Sequence, residues 1–135
     1  MPGTACGSDP TVVLDSTFLV DLSRSLPSAV RLLRDLVQRG RPLRVPTAVL
    51  MEVAAGTPDP EEAARAIAES FLLEDFDETT ARIAAKAGHQ ALGTGRFPGW
   101  IDIVIAATAL RYGEHLVSRN ERHFRRIPDL ALTTY

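Results

Sequence analysis

Four oxygen-bearing side chains stand out because each interrupts an otherwise apolar stretch. Asp15 closes TVVLD, Glu52 lies inside VPTAVLMEVAAG, Asp102 stands near the head of WIDIVIAATAL, and Asn120 follows HLVS in LVSRNERHF. A carboxylate placed among apolar residues either gives up its charge by binding a proton or finds a compensating partner. Three carboxylates in one pocket repel each other unless a cation neutralises them. Hard divalent ions take oxygen ligands, and Mg²⁺ keeps several waters beside one or two carboxylates. An acidic pocket with Mg²⁺ or Mn²⁺ can hold a phosphodiester, activate water and stabilise the leaving oxygen.

Each residue also has a plainer reading. Asp15 can cap a helix, as can Ser16 and Thr17 beside it, and Asn120 caps equally well. Glu52 can be a solvated helix glutamate, and Asp102 a first-turn acid favoured by the helix dipole. Ser118, next to Asn120, can orient a water or a carboxylate. The chemistry rests on the four positions meeting in one place, so the elements that carry them matter most.

Short β-like runs alternate with longer helical patterns. Residues 11–15 (TVVLD), 43–46 (LRVP) and 115–118 (HLVS) read as strands, FLLEDF as a short strand or an extended crossing, and a final strand is expected near ALTTY. The first is β-branched and apolar, as a strand covered on both faces should be. TFLVDLSRS starts a helix that Pro27 breaks; SAVRLLRDLVQRG follows, with Ser28 as its cap and Gly40 as its stop. TAVLMEVAAG, PEEAARAIAESF, a long alanine-rich segment capped by Asp77, residues 101–112 and a short turn at ERHFRR complete the helices. Strands alternating with helices in 135 residues predict one α/β domain with a parallel sheet wrapped by helices. In such sheets chemistry gathers beyond the carboxyl ends of the strands. Asp15 and Asn120 end strands, while Glu52 and Asp102 are expected in the first turns of helices, so all four can converge on one edge.

A net charge of −2 gives no bulk attraction to nucleic acid or to a membrane, so any such contact must be local. Lys86 is the only lysine, and arginine suits bidentate phosphate contacts. Arg96, Arg119 and Arg122 lie nearest the four positions in sequence. Cys6 is the only cysteine, which excludes an internal disulfide or a cysteine-rich metal site. MPGTACGSDP has no basic-then-apolar signal pattern, and residues 1–10 are expected to be a disordered lead-in. No apolar run reaches the length of a membrane span, and a reducing cytoplasm is the expected setting.

Other features carry less. His89, His115 and His123 show no paired zinc-ligand spacing; His123, soon after Asn120, is within reach of the same pocket but is assigned a surface or packing role. GTGRFPGW lacks the Lys-Ser/Thr of a phosphate-binding loop and reads as a flexible connection. Asp21 is expected to be solvated. A rival chemistry, with Asp15 as a phosphoryl-accepting nucleophile, lacks a second Asp two residues on, where Thr17 stands. It also lacks a late lysine, since Lys86 falls mid-helix.

The stretches VVLDSTFLVDL, VPTAVLMEVAAG, IDIVIAATAL and LVSRNERHFRRIPDL, in this order, resemble the PIN-domain nucleases, most closely VapC-type toxins of bacterial toxin–antitoxin pairs. The resemblance implies a PIN-like three-layer α/β/α domain over residues 11–135, with a central, mainly parallel sheet of four to five strands. It also implies Mg²⁺- or Mn²⁺-dependent endoribonuclease activity. The family's three acids map to Asp15, Glu52 and Asp102, which would hold the metal, and its fourth position, often Asp, is Asn120 here. Its hydroxyl after the first acid maps to Ser16. An RNA substrate, a cognate antitoxin and a homodimeric toxin follow from the same resemblance. Part of the Phe18, Leu19, Leu22 and Leu26 face would then stay exposed for the antitoxin. The alternative is a non-catalytic PIN-fold module that binds RNA or protein.

Overall fold

The computed structural model describes residues 11–135; the expected lead-in over residues 1–10 lies outside the described residues. Five strands form one sheet in the order β3-β2-β1-β4-β5, with every neighbouring pair parallel. They are β1 (Val12–Leu14), β2 (Leu43–Pro46), β3 (Leu72–Glu74), β4 (His115–Val117) and β5 (Ala131–Thr133). The open FLLEDF segment and the expected strand near ALTTY thus supply the two edge strands. Seven helices connect them: α1 (Ser16–Ser23), α2 (Pro27–Gln38), α3 (Thr47–Ala55), α4 (Pro60–Ser70), α5 (Glu78–Gly93), α6 (Trp100–Tyr112) and α7 (Glu121–Phe124).

Successive strand residues point to opposite faces, yet Val12, Val13 and Leu14 are all buried. Both faces of the central strand are therefore covered by helices, which gives the three layers. Phe18 from α1, Val49 from α3, Ile103 and Ile105 from α6, and Phe124 from α7 complete the core. Truncating either buried phenylalanine to alanine costs about 3–5 kcal/mol.

Local chemistry sets most boundaries. Asp59 and Asp77 cap α4 and α5 by accepting from the amides of Glu62 and Thr80. Gly113, at φ +63°, ends α6 in the left-handed conformation that glycine adopts without strain. Pro27 behaves differently from the expectation. It opens α2 at the first helical position instead of only breaking α1, and Leu26, not Ser28, occupies the capping position. A proline there loses no hydrogen bond, because that amide has no partner inside the helix.

The chain lays down β1, then β2 and β3 to one side, and returns to place β4 on the other side of β1. The crevice between β1 and β4 is thus the switch point of the sheet, where connections depart in opposite directions. Leu14 pairs with Val117, so Asp15 and Ser118 emerge side by side at the carboxyl ends of these strands.

Candidate active site

All four residues singled out by their setting line one hollow of about 380 Å³ at this strand edge. Asp15 is its floor, with only 2% of its surface exposed. Its Oδ1 accepts from the Ser16 amide at 2.7 Å and from Ser16 Oγ at 3.3 Å. Its Oδ2 accepts from Ser118 Oγ at 2.6 Å and Thr17 Oγ1 at 3.1 Å. Asp15 therefore does cap α1, and the capping role coexists with a fixed position in the hollow. Ser118 orients the carboxylate, as its place beside the strand end predicted.

Glu52 reaches the hollow from the second turn of α3, not the first. Ser16 Oγ donates to its Oε1 at 3.0 Å, so one hydroxyl links the first and second acids. Loss of hydration pushes the Glu52 carboxyl up; the Ser16 hydrogen bond opposes this, and the charges of Asp15 and Asp102 reinforce it. Asp102 occupies the first turn of α6, and its side chain is 19% exposed, which is the partial burial expected from its apolar neighbours. Burial likewise raises the Asp102 carboxyl, with repulsion from Asp15 adding to it and His123 working against it.

Asn120 precedes α7 but makes no side-chain capping bond, which removes its plainer role. Its amide N–H donates to Ser118 Oγ at 2.9 Å. His123 corrects the sequence reading. Its ring lines the hollow, and Nδ1 lies 2.7 Å from Asp102 Oδ2 and 2.8 Å from the Asn120 side-chain amide. With Asp102 ionised, Nδ1 carries the hydrogen and donates it to Oδ2. The available signal was the spacing: Asn120 and His123 are three residues apart on a helical start, and so share a face.

Asp21 is the second correction. It is buried, not solvated, and its two oxygens accept from Nε and Nη2 of Arg119 at 2.7 and 3.2 Å and from the Tyr135 hydroxyl at 2.5 Å. Burial opposes ionisation of Asp21, but these bonds outweigh it and lower the carboxyl. The Arg119 amide also donates to Thr17 Oγ1 at 3.1 Å. This clamp ties the β4–α7 connection to α1 and so holds Asn120 beside Asp15. Arg119 is thereby committed to a carboxylate, while Arg96 lines an adjacent hollow with Arg126.

Among the described residues, no group of three or more His, Cys, Asp and Glu side chains is drawn together as a ready-made coordination cluster. The donor chemistry nevertheless fits a hard cation. Asp15 is fixed by four hydrogen-bond contacts, and the other two acids carry charge that burial and mutual repulsion make unfavourable.

The PIN domain family matches residues 12–130. Ribonuclease VapC19 of Mycobacterium tuberculosis is 32% identical over 119 residues, spanning 87% of this chain and 95% of the relative. The fold is similar to that in VapBC2 from Rickettsia felis bound to a promoter DNA fragment, with a TM-score of 0.80 and 23% identity over 93% of this chain and 98% of that one. DNA-bound VapBC from Salmonella typhimurium gives a TM-score of 0.77 at 22% identity, over 93% of this chain and 98% of that one. With the family match spanning β1 to β4 and the acidic edge, this chain belongs to the PIN-domain family and is a homologue of ribonuclease VapC19.

Proposed function

We propose that the protein is a divalent-metal-dependent endoribonuclease, the toxin of a toxin–antitoxin pair acting in the cytoplasm. The observation that carries this reading is the convergence of Asp15, Glu52, Asp102 and Asn120 on one strand-edge hollow. Asp15, Glu52 and Asp102 would hold Mg²⁺ or Mn²⁺, with the Asn120 carbonyl available beside them. When bound, such an ion lowers the pKa of water and offsets the negative charge of the phosphodiester.

The chain's own residues set the stage for that chemistry. Ser118 and Thr17 fix one oxygen of Asp15, and Ser16 fixes the other while steering Glu52. His123 Nδ1–H holds Asp102 in orientation beside Asn120. Outer partners of this kind tune ligand basicity and direction. Arg96 and Arg126 supply positive charge next to the hollow for the RNA backbone.

A second feature supports an antitoxin partner. Leu19, Leu22, Val53, Ile67 and Phe71 line a largely apolar groove of about 560 Å³ between α1, α3 and α4. Phe18 is fully buried, but Leu22 is half-buried in this groove and Leu26 is 37% exposed. An apolar segment of an antitoxin would cover it, as a helix in a groove or an extended strand does. The solved relatives are VapBC complexes. By the family resemblance the toxin is also a homodimer, which light scattering measures directly.

The deciding experiment is RNA degradation with Mg²⁺ or Mn²⁺, abolished by EDTA and by Asp102→Asn. Equal cleavage by the folded variant removes Asp102 from the mechanism. No cleavage by the folded wild-type protein leaves a non-catalytic PIN-fold binding module.

A further inference from the structure

Trp100 is the only tryptophan in the chain, and 55% of its surface is exposed. A large aromatic ring left in water forgoes the burial free energy that usually drives it inside. The ring is not loose. Its benzo edge lies so close to Gly88 of α5 that a Cβ there would stand 2.5 Å from Cζ3. Phe97 meets it edge-on, with centroids 4.8 Å apart and planes at 69°. Gly99, at φ +108°, turns the chain so that α6 begins at Trp100 itself. These contacts hold one side of the indole and leave the rest open at the mouth of the acidic hollow, which Trp100 lines with Asp15, Glu52 and Asp102.

We propose that Trp100 is the platform on which a base of single-stranded RNA stacks beside the cleaved phosphodiester. The inference rests on the ribonuclease reading of the neighbouring acids. Electrostatics favour such a platform. The chain carries a net charge of −2, and the hollow concentrates three carboxylates, so the phosphate backbone gains little attraction there without a cation. A neutral base on an aromatic face avoids that repulsion, and splayed bases of single-stranded RNA are commonly bound this way. Pro98 and His123 border both this hollow and the one that holds Arg96 and Arg126. A strand stacked on Trp100 thus runs toward free cations: among the described residues neither arginine is in an ion pair. Because every base has a π-face, the platform contributes affinity and register, with tighter binding for a purine than a pyrimidine.

The lone tryptophan makes the contact directly readable. Purine-rich single-stranded RNA is titrated into the Asp102→Asn protein with Mg²⁺, following tryptophan fluorescence and the anisotropy of end-labelled RNA together. The expected result is a fluorescence change that saturates with the anisotropy. In the otherwise wild-type enzyme, Trp100→Ala raises KM roughly 10-fold, the scale of one lost stacked base, with kcat little changed. Trp100→Phe recovers most of the loss. Gly88→Ala, which displaces the ring without touching RNA, raises KM in the same direction. RNA binding with unchanged fluorescence, or an unchanged KM in Trp100→Ala, overturns the proposal. A fluorescence change with antitoxin but none with bound RNA assigns the ring to the protein partner and also overturns it. RNA neither bound nor cut by the wild-type protein refutes the ribonuclease reading itself, and the platform with it.

Discussion

Ser118 Oγ lies 2.6 Å from Oδ2 of Asp15, although 103 residues separate them in the chain. Ser118 is fully buried and leaves β4 just as Asp15 leaves β1, so the hydroxyl joins the two central strands at the site. Ser118→Ala removes a buried donor to a nearly buried carboxylate and deprives the Asn120 amide of its acceptor. A loss of about 1–3 kcal/mol in urea-unfolding free energy is expected. Thr17 still donates to the same oxygen, so the site weakens without collapsing. Mn²⁺ affinity, measured by calorimetry, should fall roughly 10- to 100-fold, as for other residues that orient a ligand. Unchanged affinity would remove Ser118 from the metal-positioning set.

The acids of the hollow are arranged for function at some expense to the metal-free fold. Burial raises the Asp102 carboxyl above its ordinary 3.8 and the Glu52 carboxyl above its ordinary 4.5. Between the unfolded and folded values, the folded state holds more protons, so stability is full below the unfolded value and falls as pH rises through the folded one. Asp102→Asn removes its share of that fall. In EDTA the variant should match the wild type at strongly acid pH and melt at a higher temperature near neutrality. With Mn²⁺ the order should reverse, because only the wild type gains from binding the ion tightly. Thermal melting across pH, with and without the ion, reads both signs. A neutral-pH melting temperature in EDTA that drops in the variant would contradict the charge-repulsion account.

The Asp21–Arg119–Tyr135 clamp makes a prediction at the opposite end of the pH scale. Burial, followed by donation to Asp21, pushes the Tyr135 hydroxyl up to about 12. For a raised value the stabilisation is complete below the ordinary 10 and is lost as pH rises through about 12. Ultraviolet titration of the chain's two tyrosines should show one phenol ionising near 12, and Tyr135→Phe should delete that step. The same substitution leaves Asp21 to Arg119 alone but keeps the ring that packs edge-on against Phe18, with ring centres 5.2 Å apart. A titration in which the Tyr135 step stays near 10 would show that the clamp is open in solution.

The parts of this molecule visible in its sequence are those written in local pattern. VVL is apolar at three consecutive positions and the LV of HLV at two, as strands buried on both faces require, and they form β1 and β4. Asp15 and Asp102 were conspicuous because each breaks an apolar run. What stayed hidden depends on partners far away in the chain. Asp21 meets Arg119 across 98 residues and Tyr135 across 114, so nothing around DLSRS marks it as buried. His123 acquires its role from Asp102 on another helix. Pro27 carries two local meanings, helix breaker and first helical residue, and only the path of the chain after Leu26 selects the second. Trp100 stands in the apolar stretch WIDIVIAATAL yet is exposed, because helical burial there begins at Ile103, three residues further on.

The apolar groove meets the acidic hollow at Glu52, which lines both, but most of its lining lies away from the chemistry. Leu22 lines it from α1, whereas Asp15 and Ser16 at the start of the same helix face the acidic hollow. A charge at position 22 therefore has to be desolvated by any apolar segment that docks, while the acids keep their partners. Leu22→Glu should weaken antitoxin binding roughly 10- to 100-fold, since an unpaired buried charge costs several kcal/mol or forces a proton onto the carboxylate. RNA cleavage by the variant alone should be retained, and its inhibition by antitoxin should be lost in parallel. Because Leu22 also packs against the core, a melting curve must accompany the measurement. Val53, across the groove on α3, provides an independent variant, Val53→Asp, read for antitoxin binding alone because it adjoins Glu52. Undiminished antitoxin binding by both folded variants would move the antitoxin interface to another face of the toxin.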